Sequence, residues 1–161
     1  MNPWMSLWAG LAVLGFAMVF SVPRRTLPGI VVLSIAAHLL RSVCLEQGAS
    51  LPAASLVAAL FVGITAAIVA PRTGQAIPIY AFAPVIPLVP GVYMFDALTG
   101  LLDLTSTAGA DPASVVDVVF VDATIATLTI VALAVGAISP TLLLGRRIAQ
   151  LVARQPAGMD G

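Results

Sequence analysis

The composition of this 161-residue chain indicates a protein embedded in lipid. Hydrophobic residues make up 60% of it and charged residues 9%, with a mean hydropathy of +1.10, whereas about 25% of an average soluble domain is charged. The net charge is zero, and none of the seven basic residues is lysine, so no basic surface is available to bind the phosphates of a nucleic acid. One cysteine and one histidine provide no ligand set for zinc. We therefore expect a single integral membrane domain over residues 1–161, with no enzyme activity and no cofactor.

Three apolar runs in the first half of the chain have the length that crosses a hydrocarbon core, about 20 residues. They cover residues 3–22, 27–45 and 51–70. The first run has no basic residue before it and no small-residue cleavage signature, and Arg24 and Arg25 follow it directly. We interpret it as a retained helix and not as a secretory signal.

The fourth apolar run, residues 76–95, is interrupted by prolines. Pro84, Pro87 and Pro90 are spaced three apart, and Gly91 follows the last of them. Each proline removes a backbone donor and crowds the preceding turn, so this span is predicted to be a broken helix. Loose backbone groups cannot face lipid and must be buried in protein or line a wet cavity. Broken helices form substrate sites in many transporters, and we predict a binding or gating role for these four residues; a packed kink without a ligand is the alternative.

The remaining part of the chain is predicted to form one more span and two polar segments. The stretch from Asp96 to about Pro112 is acidic and rich in Thr, Ser and Gly, which indicates a solvated loop or a short interfacial segment. The last span is placed at residues 122–145, and a polar tail covers 146–161. The prediction is thus an all-α, polytopic membrane helix bundle of about five transmembrane helices.

The placement of the arginines predicts the orientation of this bundle, because basic residues near helix ends accumulate on the cytoplasmic side. With five spans and the N-terminus outside, every arginine except Arg41 lies at the cytoplasmic face. The C-terminus is then cytoplasmic.

Three ionisable residues inside or near the spans are candidates for function, since such groups are costly in lipid and usually face the bundle interior. His38 and Arg41 are three residues apart on the second helix and therefore share a face. His38 could accept a coupling proton, and the planar fork of Arg41 could bind a carboxylate. Asp122, at the start of the last span, is a predicted partner of Arg41 or of a substrate ammonium. The alternatives are an interhelical hydrogen bond for His38, snorkelling for Arg41 and a favourable helix-start acid for Asp122.

Small residues recur every four positions on two of the predicted helices, and this spacing lets another backbone approach closely. The third helix has Ala59, Gly63 and Ala67, and the last has Ala132, Gly136 and Pro140. These stripes predict packing, either within the chain or toward a partner.

Three segments, in this order, resemble a known family. They are GFAMVFSVP at residues 15–23, AHLLR at 37–41 and IPLVPG at 86–91. The chain is similar, from about Leu11 to Arg147, to the smaller membrane half of the threonine/serine exporter family. The resemblance implies proton-driven export of L-threonine and L-serine across a bacterial inner (plasma) membrane. It also implies a larger membrane subunit of the same family as the partner; self-association is a further option.

The resemblance assigns only part of the candidate site. It extends to residues 16–23, His38, Arg41, Pro87, Pro90 and Gly91. Asp122 and the acidic segment match no family motif, so their roles rest on the residues alone. Rival interpretations are a structural or regulatory membrane subunit that stabilises a larger transporter without touching substrate, and a pore.

Overall fold

The computed structural model describes residues 3–19, 22–105 and 112–153, and within these ranges it is all-helical. The elements in chain order are α1 Pro3–Val19, α2 Leu27–Glu46, α3 Leu51–Thr73, α4 Ile77–Phe82, a 3₁₀ helix Ala83–Leu88, α5 Gly91–Thr105 and α6 Pro112–Ala153. The predicted all-α membrane fold is confirmed.

Proline and glycine set the ends of the middle helices. Prolines occupy the first turns of α2, α3 and α4, where the missing N–H would have had no partner within the helix. Gly74 ends α3 in the left-handed conformation with φ +65°, a backbone conformation that a side chain disfavours. These signals explain why α2 and α3 begin where the sequence predicts and end within a few residues of the predicted points.

Three helical segments are long and apolar enough to cross a membrane, namely Leu27–Glu46, Leu51–Thr73 and Val115–Leu143. A fourth crossing results if Ile77–Leu88 and Gly91–Thr105, which are bent by 56° relative to each other, form one broken span. α1 has 17 residues, which is the lower limit of a spanning helix. The count of five spans stays a prediction.

The centre of the bundle is α3, whose alanine-rich faces are buried against its neighbours. It packs most extensively on α6 and also contacts α2 and α4. A Cβ atom built on Gly63 would lie 2.7 Å from the carbonyl oxygen of Ala137, and one built on Gly136 would lie 2.7 Å from the Cβ of Ala59. The two small-residue stripes therefore pack against each other. Of the two predicted roles, packing within the chain and packing toward a partner, the structure shows the first.

The second half of the chain is more helical than predicted. Residues 96–105, expected to be a solvated or interfacial segment, continue α5. α6 runs unbroken for 42 residues, about 63 Å, so it contains the predicted span 122–145 and extends beyond it at both ends. The start of the predicted polar tail is helical as far as Ala153, and the rest of that tail lies outside the described residues.

Candidate functional site

The proline-rich segment of the fourth predicted span forms a joint between α4 and α5. The chain passes from α-helix to 3₁₀ helix at Ala83, where Pro84 follows, and the 3₁₀ helix ends at Leu88. Val89 has an extended ψ of 134°, and α5 then begins at Gly91. Both Pro84 and Pro90 are buried, whereas Val89 and Gly91 are exposed, so the interrupted backbone lies only partly inside the described chain. Its exposed part must be covered by a partner or line a wet cavity if it lies at membrane depth.

Arg41 reaches this joint from α2. Its Nη1 donates a hydrogen bond of 2.6 Å to the carbonyl oxygen of Leu88. The amide of Gly91 donates to the carbonyl of Val89 at 2.9 Å. The guanidinium thus caps the last carbonyl of the 3₁₀ helix with a charge-assisted bond, which is stronger than a neutral one.

His38 lies one turn before Arg41 on α2, and both side chains are half-buried. The backbone carbonyl of His38 accepts a hydrogen bond of 2.9 Å from the hydroxyl of Ser42. α2 packs on α1, α3 and the 3₁₀ helix. His38 and Arg41 therefore belong to a helix that borders the proline joint; their predicted roles toward a substrate stay predictions.

Asp122 lies on a different part of the bundle. It is half-buried on α6, a helix that packs chiefly on α3 and α5. Leu133 of α6 shares a core cluster with Leu88, and Asp122 precedes Leu133 by eleven residues, about 16 Å along a helix. The pairing of Asp122 with Arg41 stays a prediction. The role of Asp122 toward a substrate ammonium is also still a prediction.

Gly91, the last residue of the proline motif, is exposed at the start of α5. A Cβ atom built on it would meet nothing within 4 Å. The absence of a side chain at this position is therefore not needed for packing in this conformation.

Two buried serines belong to the bundle interior although the sequence reasoning did not single them out. Ser34 on α2 and Ser55 on α3 are 0% exposed, and the hydroxyl oxygen of each has no hydrogen-bond partner. Buried Thr129, by contrast, donates to the carbonyl of Ile125 on its own helix at 2.7 Å. The available signal was spacing: Ser34, His38 and Arg41 stand at i, i+4 and i+7 on α2, which places them on one face.

Polar groups of α2 and of the joint define the chemistry of the candidate site. Among the described residues, no group of three or more His, Cys, Asp or Glu side chains is placed to hold a metal ion. The guanidinium of Arg41, with five N–H donors, lies at the joint, and the half-buried imidazole of His38 is on the same helix. Pro84 and Pro87 have no N–H to donate to the preceding turn.

Comparison with known proteins identifies the family of this chain. A family model described as "Threonine/Serine exporter, ThrE" matches residues 5–143, a range that includes α2, α3, the proline joint and most of α6. No solved structure matches the chain. The matched range covers most of the 161 residues, and the chain belongs to the threonine/serine exporter family.

Proposed function

We propose that this chain is a subunit of a secondary transporter that exports L-threonine, L-serine or similar small amino acids across the bacterial inner membrane, with the proton gradient as driving force. The observation that supports a direct role in transport is the hydrogen bond from Arg41 to the Leu88 carbonyl. It joins the two features that the family motifs share, an arginine in α2 and a proline-broken helix.

The first step of the proposed mechanism is an exchange of acceptors at Arg41. A substrate carboxylate carries a full negative charge and can accept two parallel bonds from a guanidinium, so it is a stronger acceptor than a peptide carbonyl. When the carboxylate binds, Arg41 releases Leu88. The end of the 3₁₀ helix then loses its cap, and residues 89–91 are free to change their backbone angles.

The substrate ammonium needs acceptors close to Arg41. The released carbonyl of Leu88 is one of them, and carbonyls whose donors are removed by Pro84 and Pro87 are others. Asp122 is an alternative acceptor, either for the ammonium or for Arg41 itself. In both cases binding uses groups that are already within the bundle.

Proton coupling is assigned to His38. It is the single histidine of the chain, it is half-buried next to Arg41 on α2, and an imidazole changes charge near neutral pH. A positive charge on His38 would repel the neighbouring Arg41. Protonation and release of Arg41 from its acceptor are therefore linked.

The transporter requires more than this chain. Alternating access commonly opposes two repeats around a central site, and about five helices supply only one of them. We propose a larger membrane subunit of the same family as the partner, with self-association of this chain as the other arrangement. The N-terminus would lie outside the cytoplasm and the C-terminus within it.

The proposal is tested by amino-acid counterflow in proteoliposomes, after co-expression with the membrane protein encoded beside this chain and purification of the complex. We expect threonine and serine counterflow by the wild type. Arg41→Gln should lower it about tenfold or more, the effect of losing a charge-assisted bond, and R41K should restore little of it because lysine lacks the planar fork.

The rival function is a structural or regulatory subunit that stabilises the larger one without touching substrate. The absence of any buried residue in α5 favours it, because such a helix has surface left for a partner. Under this interpretation, R41Q reduces the yield of the complex and the flux in the same proportion. A complex assembled in normal yield but without counterflow supports the transport role instead.

A further inference from the structure

An unpartnered hydroxyl lies on the same face of α2 as Arg41. Ser34 is fully buried, and its Oγ has no hydrogen-bond partner. A helical serine ordinarily satisfies itself by donating to a carbonyl one turn earlier, as Ser42 does to His38. Leaving a buried hydroxyl without a partner costs free energy, so a residue that only fills space here would be better as alanine.

The neighbours of Ser34 show what it faces. Ile30, one turn before it, belongs to a core cluster with residues of the segment 80–83. Ala37, about one turn after it, belongs to a cluster that includes Val85 and Leu88. Both clusters also contain residues of α3. Ser34 lies between them on the helix and on the face of Arg41, whose guanidinium bonds the Leu88 carbonyl, so it lies on the side of α2 that meets α3 and the joint.

At the start of the 3₁₀ helix, Pro84 interrupts the backbone hydrogen bonds of the helix. Pro84 is fully buried and has no N–H to donate to the preceding turn. The region where α2 meets α3 and the joint thus contains a hydroxyl without a partner on α2 and an interrupted helix nearby. Such a polar strip within an apolar bundle is the kind of surface that a small polar solute can use.

Ser34 and Arg41 are also within reach of one small solute. Seven residues separate them, about 10 Å along the helix axis and about 20° around it. Helical side chains lean toward the N-terminus of their helix, which is the side of Ser34, and the guanidinium of Arg41 ends at the Leu88 carbonyl. A molecule bound by its carboxylate at Arg41 and lying along the joint presents its side chain toward Ser34.

We propose that Ser34 is the residue that recognises the side-chain hydroxyl of the substrate. The inference rests on the proposed function and deepens it: Arg41 binds the carboxylate that all amino acids share, and Ser34 selects those that have a hydroxyl on Cβ. In the structure, Ser34 is buried where α2 packs on its neighbours and is not accessible to a solute. This surface becomes accessible when Arg41 exchanges the Leu88 carbonyl for the substrate carboxylate.

A site that hydrogen-bonds a substrate hydroxyl discriminates against the analogue that lacks it, because the hydroxyl of the site is then left unpaired. The experiment measures counterflow of threonine and of 2-aminobutyrate, which is threonine without its hydroxyl, by the purified complex in proteoliposomes. We expect the wild type to prefer threonine and Ser34→Ala to reduce that preference about tenfold. Because the readout is a ratio, it does not depend on how much of the variant folds, and Ser34→Gly provides a second variant without the hydroxyl.

Two matched variants complete the test. Ser42→Ala removes a hydroxyl on the same helix that is already bonded to its own backbone, and Ser55→Ala removes the other buried, unpartnered hydroxyl, on α3. Both should keep the wild-type preference. If S34A and Ser34→Gly keep it as well, Ser34 is a packing residue and the inference is wrong, while the proposed export function stands. If the wild type transports neither amino acid, both proposals are wrong.

Discussion

At the scale of single residues, the contact that matters most is the one between a side chain and the backbone of a broken helix. Arg41 donates to the Leu88 carbonyl, and its guanidinium suits this task because it remains charged and is weakly hydrated compared with an ammonium. The bond gives the half-buried guanidinium a partner at the end of the 3₁₀ helix. In the proposed mechanism a charged substrate replaces this partner, so the site has no unpaired guanidinium when empty.

His38 provides the first prediction at this scale. Replacing it with glutamine keeps a polar side chain of similar size but removes the group that can be protonated near neutral pH. We expect His38→Gln to retain threonine counterflow, which requires no net coupling, and to lose net uptake driven by a pH gradient, by about tenfold or more. Both are measured in proteoliposomes made with and without an imposed gradient.

Counterflow is the internal control for the His38 variant, since it reports folding and substrate binding together. If gradient-driven transport by His38→Gln equals that of the wild type, the coupling role assigned to His38 is wrong. Loss of both activities would instead indicate a structural hydrogen bond, which was the alternative interpretation from the sequence.

Gly91 gives the second prediction. A methyl group at this position meets nothing within 4 Å, so Gly91→Ala should leave assembly and thermal stability unchanged. We expect threonine flux to fall severalfold, because the joint must change its backbone angles and alanine permits fewer of them than glycine. Flux and complex yield are measured on the same preparation, and unchanged flux would mean that the joint does not move at Gly91.

At residue scale, Arg41 could be identified from the sequence as a hydrogen-bond donor, but its acceptor, the Leu88 carbonyl, could not. The shared face of His38 and Arg41 follows from helical spacing alone. The contact between Arg41 and Leu88 joins residues 47 apart, and nothing local in the chain encodes it, so Asp122 was predicted as a partner on grounds of charge. Ser34 was overlooked because a serine in an apolar helix usually bonds its own backbone.

At the scale of elements, the contact between α3 and α6 is set by two glycines that allow the backbones to touch. In lipid, helix association depends on close packing, since the hydrophobic effect does not drive it. A Cβ atom added at Gly63 would lie 2.7 Å from a backbone carbonyl oxygen of α6. Any larger residue at this position therefore requires the two helices to separate. The interface is thus specified by small residues on both sides.

The third prediction concerns this interface. Gly63→Ala should destabilise the bundle by about 1–3 kcal/mol, the usual cost of overpacking, and lower the melting temperature in detergent. Gly15→Ala on α1 is the matched control, because its Cβ would meet nothing within 4 Å, and helical propensity favours alanine over glycine at both sites. Equal melting temperatures for the two variants would contradict the described packing of α3 on α6.

The elements themselves were predictable where the chain contains explicit start and stop signals. Prolines at N-termini and Gly74 after α3 made α2 and α3 easy to place. α5 was not, because its Asp and Thr residues resemble a loop in composition. In the structure the hydroxyl of Thr99 donates to the Phe95 carbonyl at 3.1 Å, so the polar side chain is satisfied by its own helix and the helix continues.

At the scale of the whole molecule, the burial is uneven. Half of the spanning window of α3 is buried within the chain, compared with 17% of that of α6, and α5 has no buried residue. Large apolar side chains on both helices are exposed, among them Val92, Phe95, Leu98, Phe120 and Leu143. This surface suits lipid and a second membrane subunit equally, so the partner is identified by the co-purification described above.

The fourth prediction is the orientation of the bundle, tested with single cysteines in a Cys44→Ala background, since Cys44 is the only cysteine. Gln47 precedes α3 and Ala76 follows it, and both are exposed. If basic residues mark the cytoplasmic side, Gln47→Cys reacts with a membrane-impermeant maleimide in intact cells, whereas Ala76→Cys reacts only after permeabilisation.

The controls for that experiment follow from burial and from α1. Val62→Cys, on the fully buried face of α3, should react in neither condition. A tag placed before residue 1 should be accessible from outside if α1 crosses the membrane, which gives five spans. A tag that is accessible only from inside would mean that α1 does not cross, which gives four.

If Gln47→Cys reacts only after permeabilisation, the bundle has the opposite orientation, and Arg41 lies near the cytoplasmic boundary. An exported substrate would in that case meet Arg41 on entering the transporter, whereas in the proposed orientation it meets Arg41 shortly before it leaves.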